Sequence, residues 1–146
     1  MVSQTIKTED FWNREHTAEK FWKGLEEGKI LAKKCKECGA IDFPPHLACN
    51  ACGSIDTLEW VELSGKAQLK SFVFTGLLNA RLDLEDRGEK YVCGEVEFEE
   101  GNSMNAIILN INKKKARAIQ DKLPVPVKPV FYDWGRYTTL YFELDE

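Results

Sequence analysis

Several common functional classes require features that this sequence has little of. Lys plus Arg number 20 against 24 Asp plus Glu, so the 146-residue chain carries a net charge of −4. It lacks the basic excess that binding along a phosphate backbone requires. Its apolar runs, such as residues 72–74 and 106–109, fall far short of the roughly 20 residues of a membrane span. The first residues, Met1-Val2-Ser3-Gln4-Thr5, show no apolar core or small-residue cleavage site of a secretory signal, so the expectation is a soluble cytoplasmic protein. There are only two histidines, His16 and His46. Neither has a carboxylate partner placed by the sequence, so a Cys–His or Ser–His nucleophile has no support and no catalytic residue is nominated.

What is present suits a globular chain: 43% apolar, 11% aromatic and 30% charged residues, enough for one compact domain or two small ones. Ala18, Phe21, Trp22 and Leu25 follow helical spacing, and Gly28 supplies a stop. Thr17 is an acceptable N-cap, so residues 10–27 read as one bent helix or as two. Residues 29–62 alternate short apolar pieces with cysteine turns, a pattern for short strands pinned by a metal. From Ala67 onward the period is two, placing Ala67, Leu69, Ser71 and Val73 on one face and Gln68, Lys70, Phe72 and Phe74 on the other. Further strands are predicted over 91–98, 104–111, 125–132 and 137–144, with a hairpin at Gly101-Asn102 and a short helix over 115–122. Five such strands suit a small Greek-key barrel of the OB type, with a sandwich fragment as the competing reading. The fold expected is mainly β: an N-terminal helical segment (1–28), a zinc ribbon (29–63) and an OB-fold barrel (64–146). Residues 76–90 form the one long, charged connection, of the length that is often functional.

Five cysteines occur, four of them in two CxxC pairs, which in a reducing compartment indicates metal binding rather than disulfides. In Cys35-Lys36-Glu37-Cys38-Gly39 and Cys49-Asn50-Ala51-Cys52-Gly53 the two-residue spacer lets both thiolates reach one ion, and the glycine permits a tight turn. Four thiolates favour zinc, with iron at a rubredoxin-like site as the chemical alternative. Four Cys leave no open coordination position, so one ion per chain would be structural. His46 reads as a loop residue rather than a surrogate ligand, His16 as solvated or capping, and Cys93 as a packed small residue. Phe21 is expected in the core, whereas Trp12 and Trp22 are equally candidates for core and for a partner surface. Lys113-Lys114-Lys115 with Arg117 is the one basic run, a solvated turn in the plain reading and a contact for the phosphates of a nucleotide-like ligand in the functional one.

Phe21-Trp22-Lys23-Gly24-Leu25, Gly28-Lys29-Ile30-Leu31, the two CxxC-Gly motifs, Phe43-Pro44-Pro45, Trp60 and Ser64-Gly65-Lys66 together resemble the rubredoxin-like zinc-ribbon plus OB-fold family associated with acyl-CoA enzymes, long catalogued as a domain of unknown function. The likeness is most specific from Phe21 to Gly65 and is one of strand layout beyond it. The resemblance implies zinc on Cys35, Cys38, Cys49 and Cys52. It also implies a non-catalytic accessory or scaffold subunit of a thiolase-superfamily enzyme (thiolase, hydroxymethylglutaryl-CoA synthase or C-acyltransferase type), helping to form an acyl-CoA channel in a hetero-oligomer. A stand-alone acyl-CoA binder is the alternative. Single-stranded nucleic acid ranks below it, because Glu95, Glu97, Glu99 and Glu100 flank the aromatics Phe72, Phe74, Tyr91 and Tyr137 that would stack on bases. His46 and Asn50 stand where Arg and Pro are frequent in the family, and the 76–90 connection lacks the usual prolines.

Overall fold

Helix α1, residues 18–26, ends where Gly28 adopts a φ of +77° and the Lys29 amide bonds back to the Gly24 carbonyl. The computed structural model describes residues 18–75 and 81–146, in two compact units that divide between Glu62 and Leu63. The buried stripe of α1 is narrower than the spacing predicts. Gly24 and Leu25 are buried and Phe21 is half-buried, but Ala18 is exposed and Trp22 is 41% exposed. Packing explains the difference: Phe21 meets Phe43 edge-on at 5.7 Å, and a Cβ on Gly24 would lie 2.7 Å from Leu31 Cδ1, so positions 21, 24 and 25 face the strands. Phe11, Trp12, His16 and Thr17 lie outside the described residues.

In the same unit β1 (Ile30–Cys35) is the centre of a three-stranded sheet, flanked by β2 (Ile41–Asp42) and β3 (Leu58–Leu63). Ile30 and Ala32, alternating along β1, are buried as period-two burial requires. The strands are short and β2 has two residues, so the sheet has few apolar side chains with which to hold itself together.

The second unit contains β4 (Ala67–Val73), α2 (Leu82–Asp86), β5 (Tyr91–Phe98), β6 (Ser103–Leu109), α3 (Lys113–Gln120), β7 (Val125–Asp133) and β8 (Thr138–Leu144). The five strands close into a barrel in the order β4-β5-β6-β8-β7. β6 and β8 pair in parallel, the remaining neighbours antiparallel, and α3 connects β6 to β7. This is the OB arrangement, and closure removes the sandwich alternative. Leu69, Val96, Phe98, Ile108 and Phe142 fill the core. The predicted hairpin forms at Gly101 (φ +95°), where the Phe98 and Asn102 backbones pair. Among the described residues no helix is long and apolar enough to cross a membrane.

Strand β4 and the connection that follows it also differ from their sequence expectations. The β4 alternation breaks at a bulge between Leu69 and Ser71, after which Phe72 is half-buried and Val73 is 58% exposed. One extra residue in a strand inverts the inward phase beyond it. The connection after β4 is not loop throughout, because α2 forms within it and buries Leu84 completely against Tyr91, Ile107, Leu109 and Tyr141. Five residues are too few for helical periodicity to register, and tertiary burial of one leucine stabilises the turn. Tyr91 is thereby buried and is no stacking surface.

Gly94 lies opposite Phe72 beside the bulge, and a Cβ there would fall 2.5 Å from the Ser71 carbonyl oxygen and 2.6 Å from Leu69 Cδ1. Because one of these neighbours is backbone, Gly94→Ala is expected to destabilise the barrel by about 1–3 kcal/mol. Chemical denaturation checks this, and an unchanged midpoint would show that β4 can yield at the bulge.

Candidate metal centre

The four motif cysteines converge. β1 ends at Cys35, the Gly39 amide bonds to the Cys35 carbonyl, and the Cys35 amide bonds to the Ala40 carbonyl. The second turn repeats the pattern: the Gly53 amide bonds to Cys49 O and the Cys49 amide to Ser54 O. Gly39 and Gly53 take φ of +76° and +75°, a conformation that costs glycine nothing and other residues strain. An isolated bridge between Ala48 and Ile55 closes the second turn. The two turns thus aim Cys35, Cys38, Cys49 and Cys52 at one point.

The sulfur atoms all lie within 4.8 Å of one another, with Cys35 Sγ 3.7 Å from Cys52 Sγ and Cys38 Sγ 3.5 Å from Cys49 Sγ. A disulfide needs about 2.05 Å. A tetrahedral zinc with bonds of about 2.3 Å separates its sulfurs by about 3.8 Å. The donor set therefore fits a tetrahedral thiophilic ion. Cys35 and Cys49 are buried and Cys38 and Cys52 exposed, so the cluster lies at the surface with one sulfur of each turn inward.

Two hydroxyls support the sulfurs, and the motif spacing did not reveal them. Thr57 Oγ1 is 3.4 Å from Cys35 Sγ and Ser54 Oγ is 3.2 Å from Cys52 Sγ. The Thr57 hydroxyl, aided by the Cys38 amide, brings the Cys35 thiol down to about 6, and the Ser54 hydroxyl and amide lower that of Cys52. The Ala40 amide lowers the Cys38 thiol, but the crowding sulfurs, Cys49 foremost, push it up to about 12. A bound dication favours the thiolate form of its ligands, so metal binding would release protons from this cluster. The available signal was two polar residues after the second turn, Ser54 next to Gly53 and Thr57 just ahead of β3.

The other candidate residues are elsewhere. His46 is exposed and its Nδ1 is 3.2 Å from Asn50 Nδ2, outside the sulfur cluster, so it braces the second turn. Cys93 is half-buried against the Leu84 cluster, and burial raises its thiol. Lys113, Lys114 and Lys115 are not a turn; they form the first turn of α3, which Asn112 caps by accepting from the Lys115 amide at 2.8 Å. Lys115 also pairs with Glu146 at 2.9 Å, and Arg117 is exposed one turn on.

With this geometry in place, residues 22–56 match the model of the ChsH2 rubredoxin-like zinc ribbon domain. The match is confined to the ribbon, which is similar to that family. The chain is 26% identical over 110 residues to a DUF35 domain-containing scaffold protein of Methanothermobacter thermautotrophicus, covering 75% of this chain and 71% of that one. It is 29% identical over 90 residues to another from Methanocaldococcus jannaschii, covering 61% of this chain and 62% of that one. Among solved structures, an Ltp2-ChsH2(DUF35) aldolase chain superposes with a TM-score of 0.65 at 20% identity, over 88% of this chain and 94% of that one. A DUF35-family protein of unknown function from Sulfolobus solfataricus superposes with a TM-score of 0.58 at 19% identity, over 88% and 85%. At these identities the structures show a shared fold, ribbon and barrel in one chain.

Proposed function

We propose that this protein is a non-catalytic accessory subunit that scaffolds a thiolase-superfamily acyl-CoA enzyme and helps to wall its acyl-CoA channel. The closed donor set carries the reading. Four cysteine sulfurs at tetrahedral spacing fill every position on one zinc per chain, so the ion would maintain shape and leave no site for substrate. Similarity to DUF35 scaffold proteins and a fold shared with a ChsH2-containing aldolase support assembly with an enzyme. The thiolase type and the acyl-CoA come from the motif string between Phe21 and Gly65. Trp22, exposed on α1, is the proposed partner contact among the described residues, together with Trp12 earlier in the sequence, because aromatics anchor interface cores. Lys113, Lys114, Lys115 and Arg117 give the head of α3 positive charge for the phosphates of CoA.

Affinity purification of the tagged, full-length chain from its native cell extract, followed by mass spectrometry and metal analysis, tests this reading. A stoichiometric thiolase-superfamily chain with about one zinc per small subunit is the expected result. A zinc-loaded monomer recovered alone, giving heat with acyl-CoA in calorimetry, would replace the subunit reading with that of a free acyl-CoA binder.

A further inference from the structure

The four sulfurs of the metal centre converge on one point, but their surroundings are not equivalent. Cys35 and Cys52 each have a side-chain hydroxyl against the sulfur, Thr57 Oγ1 at 3.4 Å and Ser54 Oγ at 3.2 Å. Cys38 and Cys49 have no such hydroxyl among the described residues, and the donor at Cys38 Sγ is the Ala40 amide. Exposure cuts across this division, because Cys38 and Cys52 are exposed whereas Cys35 and Cys49 are buried. Of the four, Cys38 alone is both exposed and without a hydroxyl.

A bound dication holds its cysteine ligands as thiolates, so every sulfur of the loaded cluster is a nucleophile in principle. A hydroxyl hydrogen bond draws charge from a sulfur and lowers its basicity, and thiolate nucleophilicity falls with basicity. Reaction with an oxidant also requires access, which burial denies to Cys35 and Cys49. Both effects single out Cys38. The sulfur in contact with it is that of Cys49, 3.5 Å away on the opposite turn and likewise without a hydroxyl. The fifth cysteine, Cys93, is half-buried beside the Leu84 cluster in the other unit, and burial disfavours its thiolate.

We infer that Cys38 is the peroxide-reactive residue of the ribbon and that Cys49 resolves it, forming a disulfide that joins the two turns. The Cys38 thiolate attacks one oxygen of hydrogen peroxide, the O–O bond breaks, and a sulfenic acid forms as hydroxide leaves. The Cys49 thiolate then attacks the Cys38 sulfur, the S–O bond breaks, and a second hydroxide leaves. The two thiolates give up two electrons between them, and one peroxide is reduced. With two of its four ligands consumed, the zinc is released. The inference concerns the ribbon alone and holds whichever enzyme the chain serves.

Hydrogen peroxide added to the full-length, zinc-loaded chain tests it. Released zinc is followed with a chromogenic chelator, and the modified cysteines are mapped by mass spectrometry, with dimedone in one arm to trap sulfenic acid. Zinc release is expected to be first order in peroxide, with the first dimedone adduct on Cys38 and, without dimedone, a Cys38–Cys49 disulfide. A thiol reductant with added zinc should restore about one ion per chain. Ser54→Ala, which strips the hydroxyl from exposed Cys52, should raise the Cys52 share of first adducts by at least about threefold. Cys93→Ser, in the barrel unit, should change the release rate by less than about twofold. A first adduct anywhere but Cys38 in the unaltered chain, a disulfide within one turn, or an unchanged adduct distribution in Ser54→Ala would each overturn the inference. Zinc that stays bound through a large excess of peroxide would do the same.

Discussion

Replacing Cys49 by serine is expected to reduce bound metal from about one ion per chain to a small fraction, and to unfold the ribbon while the barrel stays folded. Cys49 is buried at the cluster and its Sγ lies 3.5 Å from that of Cys38. A structural zinc contributes on the order of 10 kcal/mol of apparent binding free energy to the state that holds it. Among the described residues of this unit the buried apolar side chains are chiefly Leu25, Ile30 and Ala32, and β2 is two residues long. Domains with so small a core depend on such cross-links. The barrel has its own core, built on Leu69, Val96, Phe98, Ile108 and Phe142. Metal analysis with limited proteolysis and mass mapping reads the outcome. New cleavage sites should cluster in residues 29–62 and spare 67–144. A strong chelator added to the native protein should produce the same cleavage map. A Cys49→Ser chain that keeps a full equivalent of metal and resists protease would show that the cluster does not hold the ribbon.

Phe142→Ala should destabilise the barrel by about 3–5 kcal/mol. Phe142 is 0% exposed on β8 and packs edge-on against Phe98 of β5, with ring centroids 5.8 Å apart at 65°. β8 pairs with both β6 and β7, so truncation opens a void where three strands meet. A closed barrel cannot relax into such a void without shifting strands that are hydrogen-bonded on both sides. At roughly 4–8 °C per kcal/mol for a unit of this size, the barrel transition should fall by more than about 10 °C. Val73→Ala, at a position 58% exposed beyond the bulge, should stay within about 0.5 kcal/mol. Thermal and chemical unfolding of both variants checks this. A Phe142→Ala loss near that of Val73→Ala would mean that the barrel interior is not packed as described.

The strands of the barrel were legible because period-two patterning survives in any half-buried strand: the prediction for 91–98 coincides with β5, and 125–132 and 137–144 lie within a residue of β7 and β8. The short helix predicted over 115–122 begins at Lys113, because Asn112 is the cap and an N-cap three residues before Lys115 left no mark in the apolar spacing. The bulge in β4 was not legible. Nothing between Leu69 and Ser71 announces an extra residue, and it takes its place from the pairing with β5. Helix α2 was hidden for a related reason: one buried leucine holds it, and that burial exists only once Tyr91, Leu109 and Tyr141 are brought together.

At the metal centre, residue type and spacing alone singled out Cys35, Cys38, Cys49 and Cys52, because two CxxC-Gly turns constrain the backbone wherever they occur. That the two turns face each other, with sulfurs 3.5 to 3.7 Å apart across them, depends on the course of the chain between them. The supporting hydroxyls of Thr57 and Ser54 depend on it too. Likewise the lysine run was visible as charge, but its position at the head of α3, beside a cleft that Lys90 also lines, is a product of barrel closure. Local chemistry is written in neighbouring residues and can be read there. Which distant groups come to share a site is decided by packing, since burial and strand pairing act between residues that the chain keeps far apart.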